Sequence, residues 1–572
     1  MSEVYSLDLE KEISRTSKTN YFQVDFLKAV MIFLVIFDHM VSWNIKEDIG
    51  VALWERISIP VFLVIMGFNM GLSFKRKGDL TLRELYSWIY FKSKILRFLV
   101  PFFILYAVST FIGLFIYGFD LSAMYHGQYN TKIPGKPNFG IINLFIGILP
   151  FWGPGNWFLP LIFQSILIMP LLYKAFTMKP ILTLILCFII EFMMQMVVFF
   201  FIGEFTSWKE VHYYYMFVTS ILFYLSAVGL GMWFSFGYKL EDIRNLFIWF
   251  LFPISLAYLI AYQFFDFQFM IGDIPFLRGD YHFFVFPYSA FLFLLAMKFL
   301  PQKSDWRISR GISLIGKSTY HILLTQILGY GMIFAFWGTH YHVDDPFTPE
   351  QIVYLIAAWI LFIPFGTIWY KIDKEKSILR RVLYYFNFFI VFASLLSLPF
   401  WIEGSWVPIP LIIIIIYTFI VLISKYIIKK TLNTKILGFW TLFLIVTFIM
   451  LVLQIEVLQP SEYWITSILI GAFLILAILV TLLDNTISLK DLRNIKWMWG
   501  FFFLFSAIFI MTISFWKFYV YLEHSHILLF QIWEYISLIY SIIITLVAIR
   551  AVFTTFYSAY KKLSIGILKQ LF

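Results

Sequence analysis

The chain has 572 residues, of which 61% are hydrophobic, 22% are aromatic and only 13% are charged, and its mean hydropathy is +0.85. A soluble protein does not need so much apolar surface, so the composition predicts a membrane protein. The net charge of +10 does not indicate nucleic-acid binding, because the Lys and Arg residues cluster in short loops between apolar runs, as topology signals do.

The N-terminal residues 1–20 are polar and contain no cleavable signal pattern. We expect them to form a cytoplasmic tail, and we predict that the first membrane helix serves as the targeting signal. The single cysteine, Cys187, lies inside a hydrophobic run and leaves no possible internal disulfide. The outer loops are therefore not covalently linked.

Apolar runs long enough to cross a bilayer follow one another along the chain. A window of about 19 residues gives ten candidate spans, near residues 26–45, 57–74, 98–118, 157–173, 180–202, 214–236, 246–265, 283–300, 312–337 and 351–370. Roughly six more follow, near residues 382–402, 409–428, 435–458, 464–483, 497–519 and 527–552. We therefore predict an all-α, polytopic membrane helix bundle of about 16 transmembrane helices. A ten-helix domain at residues 21–372 precedes a C-terminal extension at residues 373–572.

The distribution of basic residues supports this topology. With the N-terminus inside, the loops richest in Lys and Arg all fall on the cytoplasmic side, while the opposite loops carry few cations, Lys46 and Arg56 among them. The pattern predicts a multi-pass plasma-membrane protein with both termini in the cytoplasm. One apolar run, residues 139–152, is too short to cross and is expected to be re-entrant or to lie on the outer surface.

Two ionisable residues, Lys28 and His39, share one face of the first predicted span. Their eleven-residue separation amounts to three helical turns plus about 20°, or roughly 16 Å along the axis. Ionisable groups at membrane depth usually have a function, so we expect both to line one cavity. Simpler roles stay open: a hydrogen-bonded core histidine and a lysine that snorkels to the interface. Asp38 points about 100° away and is not expected to be a direct partner of His39.

Seven further polar side chains lie within predicted spans: Asn69, Gln164, Glu191, Gln195, His321, Gln326 and Glu534. Glu191 and Gln195 are four positions apart and are expected to face the bundle interior, either as packing partners or as part of a cavity. An outer loop contains His340, His342, Asp344 and Asp345. Their spacing matches no standard ligand pattern, so we interpret that loop as solvated and predict no metal site.

Five sequence elements follow one another in the ten-helix domain. They are DFLKAVMIFLVIFDHM, SIPVFLVIMGF with Pro60, Gly67 and Phe68, SKILRFLVPFF with Lys94, Arg97 and Pro101, NWFLPLIFQSILIMPLL with Trp157, Phe158 and Leu159, and LIGKSTYHILLTQ with Gly316. In this order they resemble elements of the acyltransferase 3 family of integral membrane acyltransferases, over roughly residues 20–372. Lys28 stands where the family usually has Arg, and His39 matches its histidine. Met66 stands where the family usually has Ser, and Gln326 where it often has a terminal His.

The resemblance implies a membrane O-acyltransferase that takes an acyl group, commonly acetyl from cytoplasmic acetyl-CoA. The acceptor would be a hydroxyl of an extracytoplasmic carbohydrate or glycolipid. It implies that His39 is catalytic, since a neutral imidazole can accept the acceptor's proton. Lys28 would help to hold the anionic nucleotide, although lysine lacks the two-pronged donor geometry of arginine. Lys94 and Arg97 are either further phosphate contacts or topology determinants.

The remaining candidates are expected to contribute to a substrate cavity: Glu191, Trp157, Gln326, His321 and Asn69. Trp157 could stack against a sugar ring, but we favour an aromatic belt at the membrane interface. His321 precedes Gln326 by five positions, about 140° around the helix, so it does not simply replace the family's histidine. Acyl-CoA, the acceptor and the lipid bilayer are the expected partners, without nucleic acid.

Two other classes of function stay open from the sequence. A carrier or flippase for a lipid-linked or polar solute would also have many spans, although the halves of this chain show no obvious self-similarity. A membrane glycosyltransferase would need acidic residues in its first outer loop, where Glu47 and Asp48 occur. The last six predicted spans are either a scaffold or a binding surface for a lipid-linked acceptor or a partner protein.

Overall fold

The computed structural model describes residues 21–41, 43–116, 155–204, 219–272, 274–277, 281–337 and 349–382, together with residues 384, 385, 388, 389 and 392. The chain divides into two compact units, and every described residue belongs to the first, Met1–Gly404 with Ile415–Phe448. The second unit, Ser405–Ile414 with Ile449–Phe572, lies outside the described residues. The predicted domain boundary near residue 372 therefore stays a prediction.

The described part is almost entirely helical. Its α-helices are α1 (Phe22–Met40), α2 (Trp43–Asp48), α3 (Val51–Trp54), α4 (Ser58–Lys75), α5 (Leu82–Leu85), α6 (Trp88–Lys94), α7 (Val100–Ile116), α8 (Phe158–Met178), α9 (Pro180–Glu204), α10 (Leu225–Phe234), α11 (Leu246–Phe265), α12 (Phe286–Phe299), α13 (Arg307–Trp337) and α14 (Pro349–Ile372). A π-helical turn, Ile95–Leu99, joins α6 to α7, and 3-10 turns at Ile221–Tyr224 and Ile243–Asn245 precede α10 and α11.

Each of the ten spans predicted up to residue 372 overlaps a described helix, although the span at 214–236 contains only the 3-10 turn and α10 among its described residues. Five described helical segments are long and apolar enough to cross a membrane: Val51–Lys75, Phe158–Met178, Pro180–Phe200, Ile243–Phe265 and Tyr354–Ile372. The chain is therefore an all-α membrane protein. The total of about 16 spans stays a prediction, because the six spans beyond residue 382 and the run at residues 139–152 lie outside the described residues.

Glycines let helices α4 and α10 approach each other closely. A Cβ atom at Gly67 would overlap the carbonyl oxygen of Val228, and one at Gly231 would overlap the carbonyl oxygen of Val64. Within a bilayer, apolar side chains gain little by leaving lipid, so close packing at small residues supplies much of the attraction between helices. The glycine of the SIPVFLVIMGF element is therefore required by helix packing.

Helices α1, α13 and α14 form a second closely packed group. Gly316 of α13 lies directly against the backbone of Asp25 in α1, and Gly366 of α14 lies against α13. Further along, the Tyr330 hydroxyl of α13 donates a hydrogen bond of 3.2 Å to the Ile36 carbonyl of α1. Because both contacts advance along the two helices in the same direction, α1 and α13 are parallel and keep Lys28 and His39 at opposite ends of one groove.

A short antiparallel hairpin is the one β element in the described residues, and the sequence did not predict it. Strands β1 (Phe269–Ile271) and β2 (Ile274–Leu277) pair directly after α11, across a turn at Gly272 with φ +62°. Phe276 of β2 packs edge-on against Phe192 of α9. Since Phe276 also packs against Phe199, the hairpin lies along the C-terminal half of α9.

Candidate active site

A cavity of about 260 Å³ lies between helices α1, α4, α8 and α13. Helix α1 contributes Lys28, Ile32 and Val35, which follow one another at helical spacing on the face predicted to carry Lys28 and His39. The apolar part of the wall consists of Ile59, Phe62, Ile65, Met66, Met70, Phe158, Ile162, Ile166 and Leu323. The cavity is therefore an apolar channel alongside α1 that begins at Lys28.

Four cations line the end of the cavity at Lys28, here called the basic end: Lys28, Lys94, Arg97 and Lys317. Asp25 lies beside two of them. Its Oδ1 is 3.1 Å from Lys28 Nζ, and its Oδ2 is 3.6 Å from Lys317 Nζ. One carboxylate shared by two ammonium groups leaves the basic end positively charged.

Lys94 and Arg97 flank the start of the π-helical turn Ile95–Leu99. Lys94 Nζ contacts the sulfur of Met70 at 3.0 Å, and the Arg97 guanidinium lies 5.2 Å from the centre of the Phe98 ring. Neither cation forms a salt bridge with a described residue. Wide helical turns of this kind often occur at functional sites, and this one brings two cations without carboxylate partners to the same cavity.

His321 lines the cavity from α13 and pairs with the carboxylate of Asp373, directly after α14. Its Nε2 lies 2.6 Å from Asp373 Oδ2, and its Nδ1 has no hydrogen-bond partner in the described part of the chain. Since Gly316 is level with Asp25, His321 lies near the depth of residue 30 of α1. It is therefore roughly 13 Å short of His39 along the helix axis at about 1.5 Å per residue.

His39 lies just beyond the far end of the cavity, one helical turn past Val35. It does not line the cavity itself, but His39 and the cavity-lining Leu323 both lie next to Gly155. A Cβ atom at Gly155 would lie 3.3 Å from Leu323 Cδ1 and 3.7 Å from His39 Nε2. Gly155 has φ +90°, a backbone conformation that favours glycine. The turn before α8 therefore places bare backbone against the imidazole.

A partly buried charge cluster holds the other side of His39. Asp38 Oδ2 lies 3.3 Å from His39 Nδ1, while Asp38 Oδ1 accepts a hydrogen bond of 2.8 Å from Lys46 Nζ and lies 3.7 Å from Arg56 Nη2. The expectation that Asp38 is not a direct partner of His39 is wrong. Asp38 and His39 both belong to the last turn of α1, and their side chains are long enough to meet although they leave the helix about 100° apart. Lys46 and Arg56 hold the Asp38 carboxylate next to the imidazole. The carboxylate beside Nδ1 favours the tautomer that carries its proton on Nδ1, which leaves Nε2 to act as a base.

The model of the acyltransferase 3 family, described as an acyltransferase domain, matches residues 21–369. The chain belongs to the acyltransferase 3 family. Comparison with curated proteins and with solved structures found no match. Membership identifies the chain as a multi-pass membrane acyltransferase.

In the acyltransferase 3 domain, only two of the five residues predicted for the substrate cavity line the observed cavity. Asn69 and His321 line the cavity, whereas Glu191, Trp157 and Gln326 do not. Glu191 faces the bundle interior, as does Gln195, and its Oε2 accepts hydrogen bonds from the Ser226 backbone at 2.9 Å and hydroxyl at 2.5 Å. This geometry is that of a packing partner between α9 and α10.

Two residues predicted for the cavity lie on the side of His39 instead. Trp157 packs between Tyr224 and Tyr281, with ring centres 5.8 and 6.2 Å away. Gln326 of α13 is fully buried, one turn before Tyr330, whose ring lies edge-on to His39 at 5.8 Å. Neither side-chain polar atom of Gln326 has a hydrogen-bond partner among the described residues.

The acyltransferase 3 domain also uses residues that the sequence did not single out. Lys317 and Asp25 belong to the basic end, and Lys46 and Arg56 belong to the charge cluster at His39. The sequence pattern predicts both cations of the cluster only as outer-loop residues. Asn156, next to Gly155, was missed because one asparagine between two motifs gives no signal; it is fully buried, and both side-chain polar atoms lack partners among the described residues.

Metal ligation has no support in the part of the chain that the structure describes. No group of three or more His, Cys, Asp or Glu side chains there could hold a metal ion. The loop with His340, His342, Asp344 and Asp345 lies outside the described residues, as do Glu534 and the spans beyond residue 382.

Proposed function

We propose that this membrane acyltransferase moves an acyl group, acetyl in the simplest case, from cytoplasmic acyl-CoA to a hydroxyl of an extracytoplasmic carbohydrate or glycolipid. The observation that carries the proposal is the channel along α1, with four cations at one end and the His39 imidazole just beyond the other. A donor with a polyanionic head and a long flexible arm matches that arrangement.

The basic end supports an anionic nucleotide as the head of the donor. Lys94 and Arg97 form no salt bridge with described residues, so they can contact phosphate without first breaking an ion pair. Arg97 offers the planar fork that suits two phosphate oxygens. Lys28 and Lys317 already share Asp25, so they would add a more diffuse positive field.

The length of the channel supports a donor arm that ends in a thioester. Lys28 and His39 are eleven residues apart on one helix, or about 16 Å along its axis. The wall between them, from Ile32 to Leu323, is mostly apolar. A chain that passes along it would present its acyl group to the wall at Phe158 and Leu323, beside His39.

The His39 side supports general base catalysis. Nδ1 contacts Asp38, so Nε2 is left to take the proton of the acceptor hydroxyl as the hydroxyl oxygen bonds to the acyl carbon. The carbon–sulfur bond then breaks, and the CoA thiolate leaves with the proton that Nε2 held. Asp38 holds the imidazole in the required tautomer and stabilises its charged form.

The family match decides against the two other classes left open by the sequence, a carrier or flippase and a membrane glycosyltransferase. The chemistry is tested by mass spectrometry of cell-surface glycans and lipids from cells that contain the wild-type protein, His39→Ala or no protein. We expect a mass increase of one acyl group only with the wild type. Identical spectra from all three would contradict the proposal.

A further inference from the structure

Asn156 is a buried amide without a structural explanation. Its side chain is fully buried, and neither Nδ2 nor Oδ1 has a hydrogen-bond partner among the described residues. Native proteins rarely leave both ends of an interior amide unsatisfied, because each lost hydrogen bond to water opposes folding. A partner that binds only during function accounts for this cost.

The position of Asn156 identifies where that partner would lie. Gly155, its neighbour, faces His39 Nε2 and Leu323, and Phe158, two residues later, lines the cavity. The turn from Gly155 to Phe158 thus bridges the end of the donor channel and the base. Asn156 lies in the middle of that turn, and its side chain does not cap α8.

Because this step rests on the proposed function, the reacting atoms are those of a thioester and a hydroxyl. The geometry points to Asn156 as the hydrogen-bond donor that stabilises the oxyanion formed when the acceptor oxygen adds to the acyl carbon. As that bond forms, the hydroxyl proton passes to His39 Nε2, and the carbonyl π electrons move to the carbonyl oxygen. Nδ2–H donates to that oxygen until the carbonyl re-forms, the carbon–sulfur bond breaks and the thiolate takes up the proton.

An oxyanion donor acts mainly in the transition state, so its loss should lower kcat far more than it raises KM. Removal of one such donor costs about 10²–10³-fold in kcat. Replacement of Asn156 should also not lower stability, whereas replacement of a residue that stabilises the packing should. Asn156→Leu removes two unsatisfied polar atoms at similar volume, so its melting temperature should equal or exceed that of the wild type.

Asn245 is a matched control because it is an equally buried amide whose polar atoms are bonded. Its Oδ1 accepts from Trp233 Nε1 at 3.0 Å, and its Nδ2 donates to the carbonyls of Gly237 and Lys239 at 3.1 and 2.8 Å. Asn245→Leu should lower the melting temperature, while its acetyl transfer per folded molecule should equal that of the wild type.

The experiment measures melting temperature and acetyl transfer from acetyl-CoA for the full-length wild type, Asn156→Leu, Asn156→Ala and Asn245→Leu in detergent. Isotope-edited infrared spectra of ¹³C=O acetyl-CoA bound to His39→Ala, with and without Asn156→Leu, supply a readout that needs no turnover. We expect the carbonyl stretch of the bound thioester to fall relative to free acetyl-CoA and to return when Asn156 is replaced. The Asn156→Ala variant keeps the test valid if leucine does not fit.

Transfer by Asn156→Leu and Asn156→Ala at the wild-type rate would overturn the inference and leave the proposed function intact. If the melting temperatures of both Asn156 variants fall as that of Asn245→Leu does, the Asn156 amide has a packing role, and the inference is also overturned. Wild-type protein that binds no acetyl-CoA and transfers no acetyl group would instead overturn the proposed function, and the role of Asn156 with it.

Discussion

At the scale of single residues, the contact between Asp38 and His39 explains how the last turn of a membrane helix can present an imidazole whose Nε2 can act as a base. Lys46 and Arg56 fix the carboxylate, and the carboxylate fixes Nδ1 of the imidazole. Asp38→Asn should lower turnover by about 10²-fold, because an amide can orient the ring in the wrong tautomer and does not stabilise imidazolium. The measurement is acetyl transfer per folded molecule.

A double-mutant comparison separates orientation from folding. If Asp38 acts through His39, then Asp38→Asn combined with His39→Ala should be no slower than His39→Ala alone. Multiplied losses in the double variant would show that Asp38 acts independently of the imidazole. Acetyl-CoA binding should be unchanged in all three variants.

Gly155 provides a second test at the residue scale. Gly155→Ala should lose about 1–2 kcal/mol of stability, because φ +90° is unfavourable for alanine, and should lose turnover because the new methyl group crowds Leu323 and His39. Gly78→Ala is the control, since φ is +85° there but no atom lies within 4 Å of the added Cβ. It should lose similar stability and no turnover. Equal turnover in both variants would contradict this placement of Gly155.

The sequence predicted those site residues whose chemistry is unusual for their surroundings. Lys28 and His39 stand out in an apolar span, and Lys94 and Arg97 begin a basic helix. Asp38 was misjudged because helical spacing describes Cα directions, whereas a contact between neighbours depends on rotamers and on cations from a later segment. Asn156 is visible only after burial and hydrogen bonding are known.

At the scale of helices, the closest contacts depend on glycines. Gly231→Ala should lower stability by about 1–3 kcal/mol, because the added Cβ would overlap the Val64 carbonyl oxygen and push α4 and α10 apart. Gly311→Ala in α13 is the matched control, since nothing lies within 4 Å of an added Cβ there. It should raise stability by up to about 1 kcal/mol through helix propensity. Thermal unfolding in detergent measures both, and equal shifts would contradict the packing argument.

Helix positions were predictable because apolar length is a strong signal in a membrane protein. The ten spans up to residue 372 each overlap a described helix. The irregular features were not predictable, because they leave little trace in hydropathy. They are the π-helical turn Ile95–Leu99, the 3-10 turn before α10 and the hairpin of β1 and β2. Tertiary contacts, such as Phe276 against Phe192, fix such elements.

At the scale of the whole molecule, the proposal requires the two ends of α1 to face opposite sides of the membrane. Cys187 is buried and is the chain's single cysteine, so new cysteines can be placed in the natural background. A membrane-impermeant maleimide should label Ile49→Cys in intact cells and Lys376→Cys only after permeabilisation. Both positions are exposed; Ile49 lies beyond the His39 end of α1, and Lys376 follows Asp373, the partner of His321 near the basic end. The wild type should stay unlabelled, and a reversed pattern would contradict the predicted topology.

The central claim is that one donor molecule extends from the basic end of the cavity to His39. It is tested most directly by measuring acetyl-CoA affinity and acetyl transfer on the same preparations of wild type, His39→Ala, the double variant Lys94→Gln with Arg97→Gln, and Arg244→Gln as a cation outside the cavity. We predict that His39→Ala binds like the wild type but turns over about 10²–10⁴-fold more slowly. The double variant should bind at least about 10-fold more weakly, and Arg244→Gln should behave as the wild type. Undiminished turnover in His39→Ala, or undiminished affinity in the double variant, would contradict the account.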